Sequence, residues 1–262
     1  MDLLVLGVGD AYRPRAALAV LAGFGSVEHI GLAAAAEPSA VDAVLGRVGG
    51  RRLVVLAPGT AGLNIVVLRL LRRSLLADTP VGVVLGDPRW MTAAGLPAAP
   101  AAAAEVAATG APAPMGLVRD DHGGIVLSSA VLRPWAPAGR TAGRTVGLRA
   151  YVEDAELAHG SVRALVVHPA DGALVAAVRP RPGLLPGLRR ARALRGRAVT
   201  VSCAEARLTV DGVDLPRPQT RRTWWYEPGR WQLVRPRPIH PLLPDDHRVV
   251  GVDGDQQAPT TR

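Results

Sequence analysis

The sequence predicts a protein of the α/β plus mainly β class: an N-terminal doubly wound parallel-sheet domain followed by a β-sandwich-like domain. Short apolar runs alternate with helical patterns at first, an Ala/Pro-rich segment follows, and closely spaced strand patterns with Asp-Gly turns fill the rest. We therefore expect an α/β domain at residues 1–95, a connector at 96–114, a mainly β domain at 115–235 and a poorly ordered tail at 236–262.

The N-terminal elements follow from apolar periodicity and from the residues that end each run. Continuous apolar runs closed by Gly or Pro are typical of buried parallel strands, and spacings of three and four predict helices. Ser39 is the expected N-cap of the second helix. The predicted strands are residues 3–7, 27–32, 53–56 and 81–85, and the predicted helices are 13–24, 39–47 and 63–73.

The second half reads as short strands separated by turns. One alanine-rich helix is expected at residues 98–108 within an otherwise irregular connector, and one Arg-rich helix at 185–195. Turns are expected at Asp171-Gly172, Asp211-Gly212 and Pro228-Gly229. Strands are predicted at residues 124–127, 146–152, 164–168, 174–178, 198–202, 207–210, 222–225 and 231–234, and the first and last β segments are expected to exchange between the two domains.

Composition excludes several classes of protein. All 31 basic residues are Arg, which rules out a kinase built on a phosphate-binding lysine. The net charge of +9 has two interpretations, an anionic partner or the composition bias of a GC-rich genome. The single Cys203 excludes an intrachain disulfide framework and a multi-cysteine zinc site. With neither a signal peptide nor an apolar span, we expect a cytoplasmic protein, with peripheral contact to the inner membrane face.

The segment at residues 53–67 is a strand, a small-residue turn and a helix. Such a turn places free backbone N–H groups at a helix N-terminus, a geometry that binds phosphate. The same Gly and Thr residues also occur in turns for shape alone, so both interpretations stay open at this point.

The order of motifs around this turn resembles the diacylglycerol kinase catalytic-domain superfamily, which includes bacterial lipid kinases and sphingosine kinases and is related in fold to NAD kinases. In that family a strand leads to Gly-Gly-Asp-Gly-Thr and a helix beginning Leu-Asn-Glu-Val-Val. A second Gly-rich loop, a Gly-Leu-Pro segment, an Asp-Asp-Gly segment and a strand ending Val-Asp-Gly-Glu follow. The matching segments here are residues 58–62, 63–67, 86–90, 95–97, 154–169 and 208–213.

The resemblance implies ATP and Mg²⁺ as cofactors and transfer of the γ-phosphoryl group to a lipid hydroxyl. It also implies a nucleotide site in a cleft between the two domains, and it assigns no catalytic residue or metal ligand here. The implied nucleotide-binding residues are Gly59, Thr60, Gly62, Asn64, Asp87 and Arg89.

Departures from the family pattern leave two functions open, a lipid kinase and a non-catalytic module that binds nucleotide or anionic lipid. Thr60 replaces the acid of the first loop, the second loop is about two residues short, and the Asp-Asp-Gly segment has become Ala158-His159-Gly160. Phosphoryl transfer relies on carboxylates for metal ions and for the acceptor proton, so these changes indicate weak or lost activity. The aspartates that could compensate are Asp87, Asp154, Asp171 and Asp211.

Other side chains point to partners rather than to chemistry. Trp224, Trp225 and Trp231 are expected to pack across a hairpin, or else to form an anionic-lipid patch with Arg221, Arg222 and Arg230. His122, His159 and His168 lack metal-ligand spacing. Nucleic acid is not an expected partner, because no recognition motif accompanies the arginines.

Overall fold

The computed structural model describes residues 2–9, 12–135, 145–180 and 192–237. In this part of the chain, fourteen strands join into one sheet whose main path runs β11-β10-β9-β7-β12-β14-β4-β3-β1-β2. The structure is sheet-rich, and its buried apolar residues form two core clusters.

The first cluster surrounds a four-stranded parallel sheet. The elements are β1 (Leu3–Val8), α1 (Arg15–Ala22), β2 (Val27–Leu32), α2 (Pro38–Leu45), β3 (Arg52–Ala57), α3 (Thr60–Arg72) and β4 (Val81–Leu85). The strand order is β2-β1-β3-β4. These elements confirm the predicted alternation of strands and helices. Helices cover both faces of a parallel sheet, so its central strands are continuous apolar runs. The predicted cap at Ser39 is wrong, since α2 begins at Pro38 and Glu37 is its N-cap.

The Ala/Pro-rich segment is part of this core rather than an irregular connector. It holds α4 (Pro88–Ala93) and α5 (Pro100–Thr109), and α5 confirms the predicted alanine-rich helix. A Cβ at Gly82 would lie only 2.8 Å from the Cβ of Ala107, so the small residues let α5 approach β4 closely. Arg52 Nη1 donates to the carbonyls of Ala108 (2.6 Å) and Gly110 (3.0 Å), which satisfies the end of α5.

The second cluster lies among antiparallel strands. They are β5 (Ala111–Asp120), β6 (Ile125–Val126), β7 (Ala130–Pro134), β8 (Val146–Val152), β9 (Ala155–Ala170), β10 (Ala173–Pro180), β11 (Arg192–Gly196), β12 (Ala198–Val210), β13 (Val213–Asp214) and β14 (Gln219–Arg235). The turns at Asp171-Gly172 and Asp211-Gly212 are confirmed, and both glycines have positive φ. The predicted Arg-rich helix is wrong over its last four positions, because residues 192–196 form a strand. The rest of that predicted helix lies outside the described residues.

The long strand β14 joins the two clusters. The predicted hairpin at Pro228-Gly229 is wrong: residues 219–235 form one strand with a shift of register between Glu227 and Trp231. The start of β14 pairs with β12, whereas Leu233 pairs in parallel with Val81 of β4. The last β segment therefore contributes to both cores, as expected, while the domain boundaries at 95 and 115 stay a prediction.

Two remaining predictions concern the membrane and the C-terminus. Among the described helices, none combines the length and the apolar character that crossing a membrane requires. The predicted tail lies outside the described residues from position 238 onward.

Candidate functional site

The strongest candidate site lies where β3 ends and α3 begins. Thr60 is the first helical residue, and Gly59, its N-cap, offers no side chain to the free N–H groups of the first turn. The first turn of α3 also contains no acidic residue. Backbone donors and the positive end of the helix dipole therefore face the carboxyl edge of the parallel sheet, an arrangement that attracts anions.

Two of the predicted glycines have different roles. Gly59 is in extended backbone, and a Cβ placed on it would meet nothing within 4 Å, so it borders open space. A Cβ on Gly62 would lie 2.7 Å from the Cβ of Ala57 and 3.2 Å from that of Val8. Gly62 is thus a packing residue that lets α3 approach the sheet, and of these two glycines only Gly59 borders open space.

The second predicted loop lies beside the first. Gly86 N donates to the carbonyl of Ala57 (2.9 Å), and a Cβ at Gly86 would lie 2.7 Å from the carbonyl oxygen of Pro58. The Asp87 carboxylate accepts hydrogen bonds from the backbone N–H groups of Arg89 and Trp90, both at 3.1 Å, and so caps α4. The Arg89 side chain is exposed at the same edge.

Asn64 faces the second half of the chain rather than the turn. Its Nδ2 donates to the Ile125 carbonyl (2.9 Å) and to Oδ2 of Asp211 (2.6 Å). Asp211 also accepts the backbone N–H groups of three consecutive residues at 2.7 to 3.0 Å, namely Leu127, Ser128 and Ser129. Asn64 and Asp211 therefore tie α3 to the loop that precedes β7.

The Asp211 carboxyl is only 6% exposed. Burial raises its pKa, and its hydrogen bonds to Leu127, Asn64, Ser128 and Ser129 oppose that rise. With four donors on its two oxygens, this carboxyl has a structural role. The sequence identified Asp211 as a turn residue and as one of four aspartates that could replace the lost carboxylates, but nothing in the sequence pairs it with Asn64.

The other candidate carboxylates do not reach the N-terminus of α3. Asp154 lies in the β8–β9 turn and Asp171 in the β9–β10 turn, strands that are several positions from β3 in the sheet order. At the place of the family's closing Glu stands Val213, which is 54% exposed. Within the described residues, the edge at α3 offers backbone donors and an arginine, and its two described carboxylates, Asp87 and Asp211, are already engaged. This donor set fits phosphate, whereas Oδ2 of Asp87 is the one oxygen of these two carboxylates that accepts none of these hydrogen bonds and could serve Mg²⁺.

Half of the predicted Arg/Trp patch is internal, so its six residues do not form one exposed surface. Trp224 and Trp231 are fully buried, and they lie in different core clusters rather than packing across a hairpin. Arg222 is 2% exposed, and its Nη1 lies 3.5 Å from Oδ1 of Asp120. Of the named residues, Arg221, Trp225 and Arg230 reach the surface.

One group of potential metal ligands occurs in the described residues, at Asp120, Asp121 and His122. Asp120 Oδ1 accepts the N–H groups of His122 (2.9 Å) and Gly124 (2.8 Å) and faces the buried Arg222 guanidinium. These contacts account for the Asp120 carboxylate without a cation.

Comparison with known proteins shows the fold. No family model matches the chain, and no curated protein matches its sequence. A diacylglycerol kinase from Bacillus anthracis strain Sterne superposes with a TM-score of 0.62 at 11% identity, covering 88% of this chain and 96% of that one. An NAD kinase from Archaeoglobus fulgidus in complex with ATP gives 0.58 at 11% identity over 90% and 94%. Yeast NADH kinase complexed with NADH gives 0.50 at 10% identity over 89% and 82%.

The chain therefore has the fold of diacylglycerol and NAD kinases, which confirms the resemblance seen in the sequence at the level of fold. Function is a separate question, because one fold can carry different sites.

Proposed function

We propose that this protein is a diacylglycerol-kinase-like protein that binds the phosphates of a nucleotide at the start of α3 and has lost phosphoryl transfer. One observation carries the proposal. The described carboxylates nearest this edge, Asp87 and Asp211, accept hydrogen bonds that hold the fold together, whereas the first turn of α3 has no side-chain cap.

Phosphate binding needs little more than what this edge contains. A hydrogen bond from a backbone N–H group to a charged acceptor contributes about 1.5 to 3 kcal/mol, and the helix dipole adds about 0.3 to 1 kcal/mol. Gly59 leaves space for the approach, and Arg89 adds a positive charge that can neutralise a phosphate oxygen. ATP is the nucleotide we favour, since the superposed NAD kinase from Archaeoglobus fulgidus was solved in complex with ATP.

Phosphoryl transfer makes further demands. Metal ions must bridge the phosphate oxygens, and a carboxylate must accept the proton of the attacking hydroxyl. Loss of such an acid–base group typically lowers the rate by about 10² to 10⁴. Recruiting Asp211 for this purpose would break its bonds to three backbone N–H groups and to Asn64.

The binding test uses Gly59→Val, which places a branched side chain at the proposed site and whose Cβ would meet nothing within 4 Å. The matched control is Gly31→Val, because a Cβ on Gly31 also meets nothing within 4 Å and this residue lies on the edge strand β2. Isothermal titration with ATP should show binding to the wild type and to Gly31→Val, and a loss of at least about tenfold for Gly59→Val. Equal affinity of all three proteins would exclude the α3 site.

A second candidate function, an active lipid kinase, is favoured by the likeness to a diacylglycerol kinase over nearly all of that chain. Incubation with labelled ATP, Mg²⁺ and a mixed lipid extract separates the two functions. We expect no labelled lipid above a protein-free blank. Robust lipid phosphorylation that Gly59→Val abolishes would establish the kinase and contradict the loss of transfer.

A further inference from the structure

A row of polar side chains crosses four strands on the outer face of the second half of the sheet. In the strand register, His159 of β9 lies opposite Arg149 of β8, Arg149 opposite Ser202 of β12, and Ser202 opposite Arg221 of β14. Residues directly opposite on antiparallel strands point to the same face, so these four side chains are neighbours. All four are exposed.

A shallow, open hollow of about 380 Å³ lies over the part of this row formed by Arg149, His159 and Ser202. It is lined by Arg149, His159 and Ser202, together with the small residues Gly147, Gly160 and Ala204. A bulge in β12 lies beside the hollow. Ser202 pairs with Arg221 and Ala206 pairs with Gln219, so β12 advances by four residues where β14 advances by two. Such a bulge bends a strand and changes the direction of its side chains.

The row carries positive charge that the described residues do not neutralise. Arg149 Nη2 lies 3.2 Å from Nε2 of His159, and neither Arg149 nor Arg221 forms an ion pair with a carboxylate in the part of the chain that the structure describes. Other arginines do have such partners. Arg149 and Arg221 thus place two guanidinium groups that lack a described carboxylate partner on either side of Ser202 in the strand register.

We propose that this hollow is a binding site for a phosphate monoester, held by Arg149 with the Ser202 hydroxyl as a donor and His159 beside it, while Arg221, the register partner of Ser202, reaches it from beside the hollow. Guanidinium groups bind phosphate oxygens through two parallel N–H donors, and the hydroxyl between them can donate to a third oxygen. The hollow is larger than a phosphate group, so part of the attached alcohol also fits above Gly147. This site is separate from the one at α3 and does not depend on it.

Nuclear magnetic resonance locates the binding directly. The full ¹⁵N-labelled chain is titrated with glycerol 3-phosphate, and the amide signals of Gly147, Gly160 and Ser202 are followed. We expect these signals to shift in a saturable manner. Arg149→Ala and Arg221→Ala should each weaken binding by about tenfold, the amount expected for the loss of a charge-assisted hydrogen bond.

Two further variants control for fold and for charge. Gly147→Val should abolish the shifts by filling the hollow, and a Cβ on Gly147 meets nothing within 4 Å, so the variant should stay folded. Arg179→Ala removes one exposed positive charge from β10 and should bind as the wild type does. Unmoved signals in the wild type, or equal weakening by Arg179→Ala and Arg149→Ala, would overturn the proposal.

The source of the phosphate is distinguished by a second probe. Sedimentation with vesicles of phosphatidylcholine, alone or in equal parts with phosphatidic acid, tests a lipid headgroup. If the protein binds only the mixed vesicles and Gly147→Val abolishes that binding, the ligand is a lipid headgroup. If glycerol 3-phosphate shifts the amide signals and the protein binds no vesicles, the ligand is a soluble phosphate monoester. Gly59→Val should leave both results unchanged, so failure at α3 and failure at this hollow are distinguishable.

Discussion

The contact between Asn64 and Asp211 makes the sharpest prediction about stability. Replacing Asp211 by Ala removes the acceptor of three backbone N–H groups, those of Leu127, Ser128 and Ser129. Ser128 and Ser129 are partly exposed, so water can reach them, but the hydrogen bond of Leu127 N is buried. Asn64 keeps one acceptor, the Ile125 carbonyl.

The expected magnitude follows from these differences. A buried donor left without a partner costs about 1 to 3 kcal/mol, and a hydrogen bond to a charged group contributes about 1.5 to 3 kcal/mol. The relief of the buried charge offsets part of the loss. We therefore expect Asp211→Ala to lower the free energy of unfolding by about 3 kcal/mol, a large effect for a single substitution.

The assay is urea denaturation, read as a shift of midpoint at unchanged slope. The control is Asp171→Ala, which removes an exposed aspartate from another Asp-Gly turn, although Asp171 does not share the positive φ of 49° at Asp211. That change should stay within about 0.5 kcal/mol. If the two variants lose equal stability, the carboxylate of Asp211 does not hold the loop, and its availability for chemistry must be reconsidered.

Three further predictions follow from packing and charge. Gly62→Ala should destabilise the protein while Gly59→Ala should not, since only the former brings a Cβ within 3.0 Å of a neighbour; thermal unfolding of the pair decides this. Trp231→Ala, which empties a fully buried site in the first core, should cost about 3 to 5 kcal/mol in urea denaturation. The hydrogen bond from Arg69 lowers the pKa of the Asp42 carboxyl below its ordinary value of 3.8. The stabilisation from this ion pair is therefore complete above pH 3.8, and it is lost as the pH falls through the pKa of Asp42 in the folded protein. Asp42→Asn should accordingly flatten the acid limb of the stability profile measured by urea denaturation.

The parallel half of the fold could be predicted because its signals are local. Strands β1, β3 and β4 are buried on both faces, which requires the unbroken apolar runs that the sequence contains. The adjacency of the loops after β3 and β4 followed as well, because the carboxyl ends of neighbouring parallel strands lie at one edge of the sheet.

The predictions that failed concern segments whose local pattern fits two structures. Pro228 and Gly229 are typical of a hairpin turn, but Gly229, with its φ of 59°, lies in a bulge of one long strand because β5 pairs along both parts of β14. Residues 192–195 are good helix formers, yet they pair with β10 as an edge strand. Tertiary pairing overrides a propensity worth only a few tenths of a kcal/mol per residue, about 0 to 0.7 for ordinary residues.

The amino-acid sequence alone determined which loops follow the parallel strands. It also determined the phosphate-binding geometry expected at Gly59 and the resemblance to lipid kinases, because each of these depends on residues close together in the chain. The tertiary structure decided which side chains are free. Asn64 and Asp211 are 147 positions apart, and only the folded chain brings them to 2.6 Å. A carboxylate that accepts four hydrogen bonds in the interior is held in place, whereas exposed arginines without a carboxylate partner can bind an anion; burial and pairing, which separate these cases, are properties of the fold.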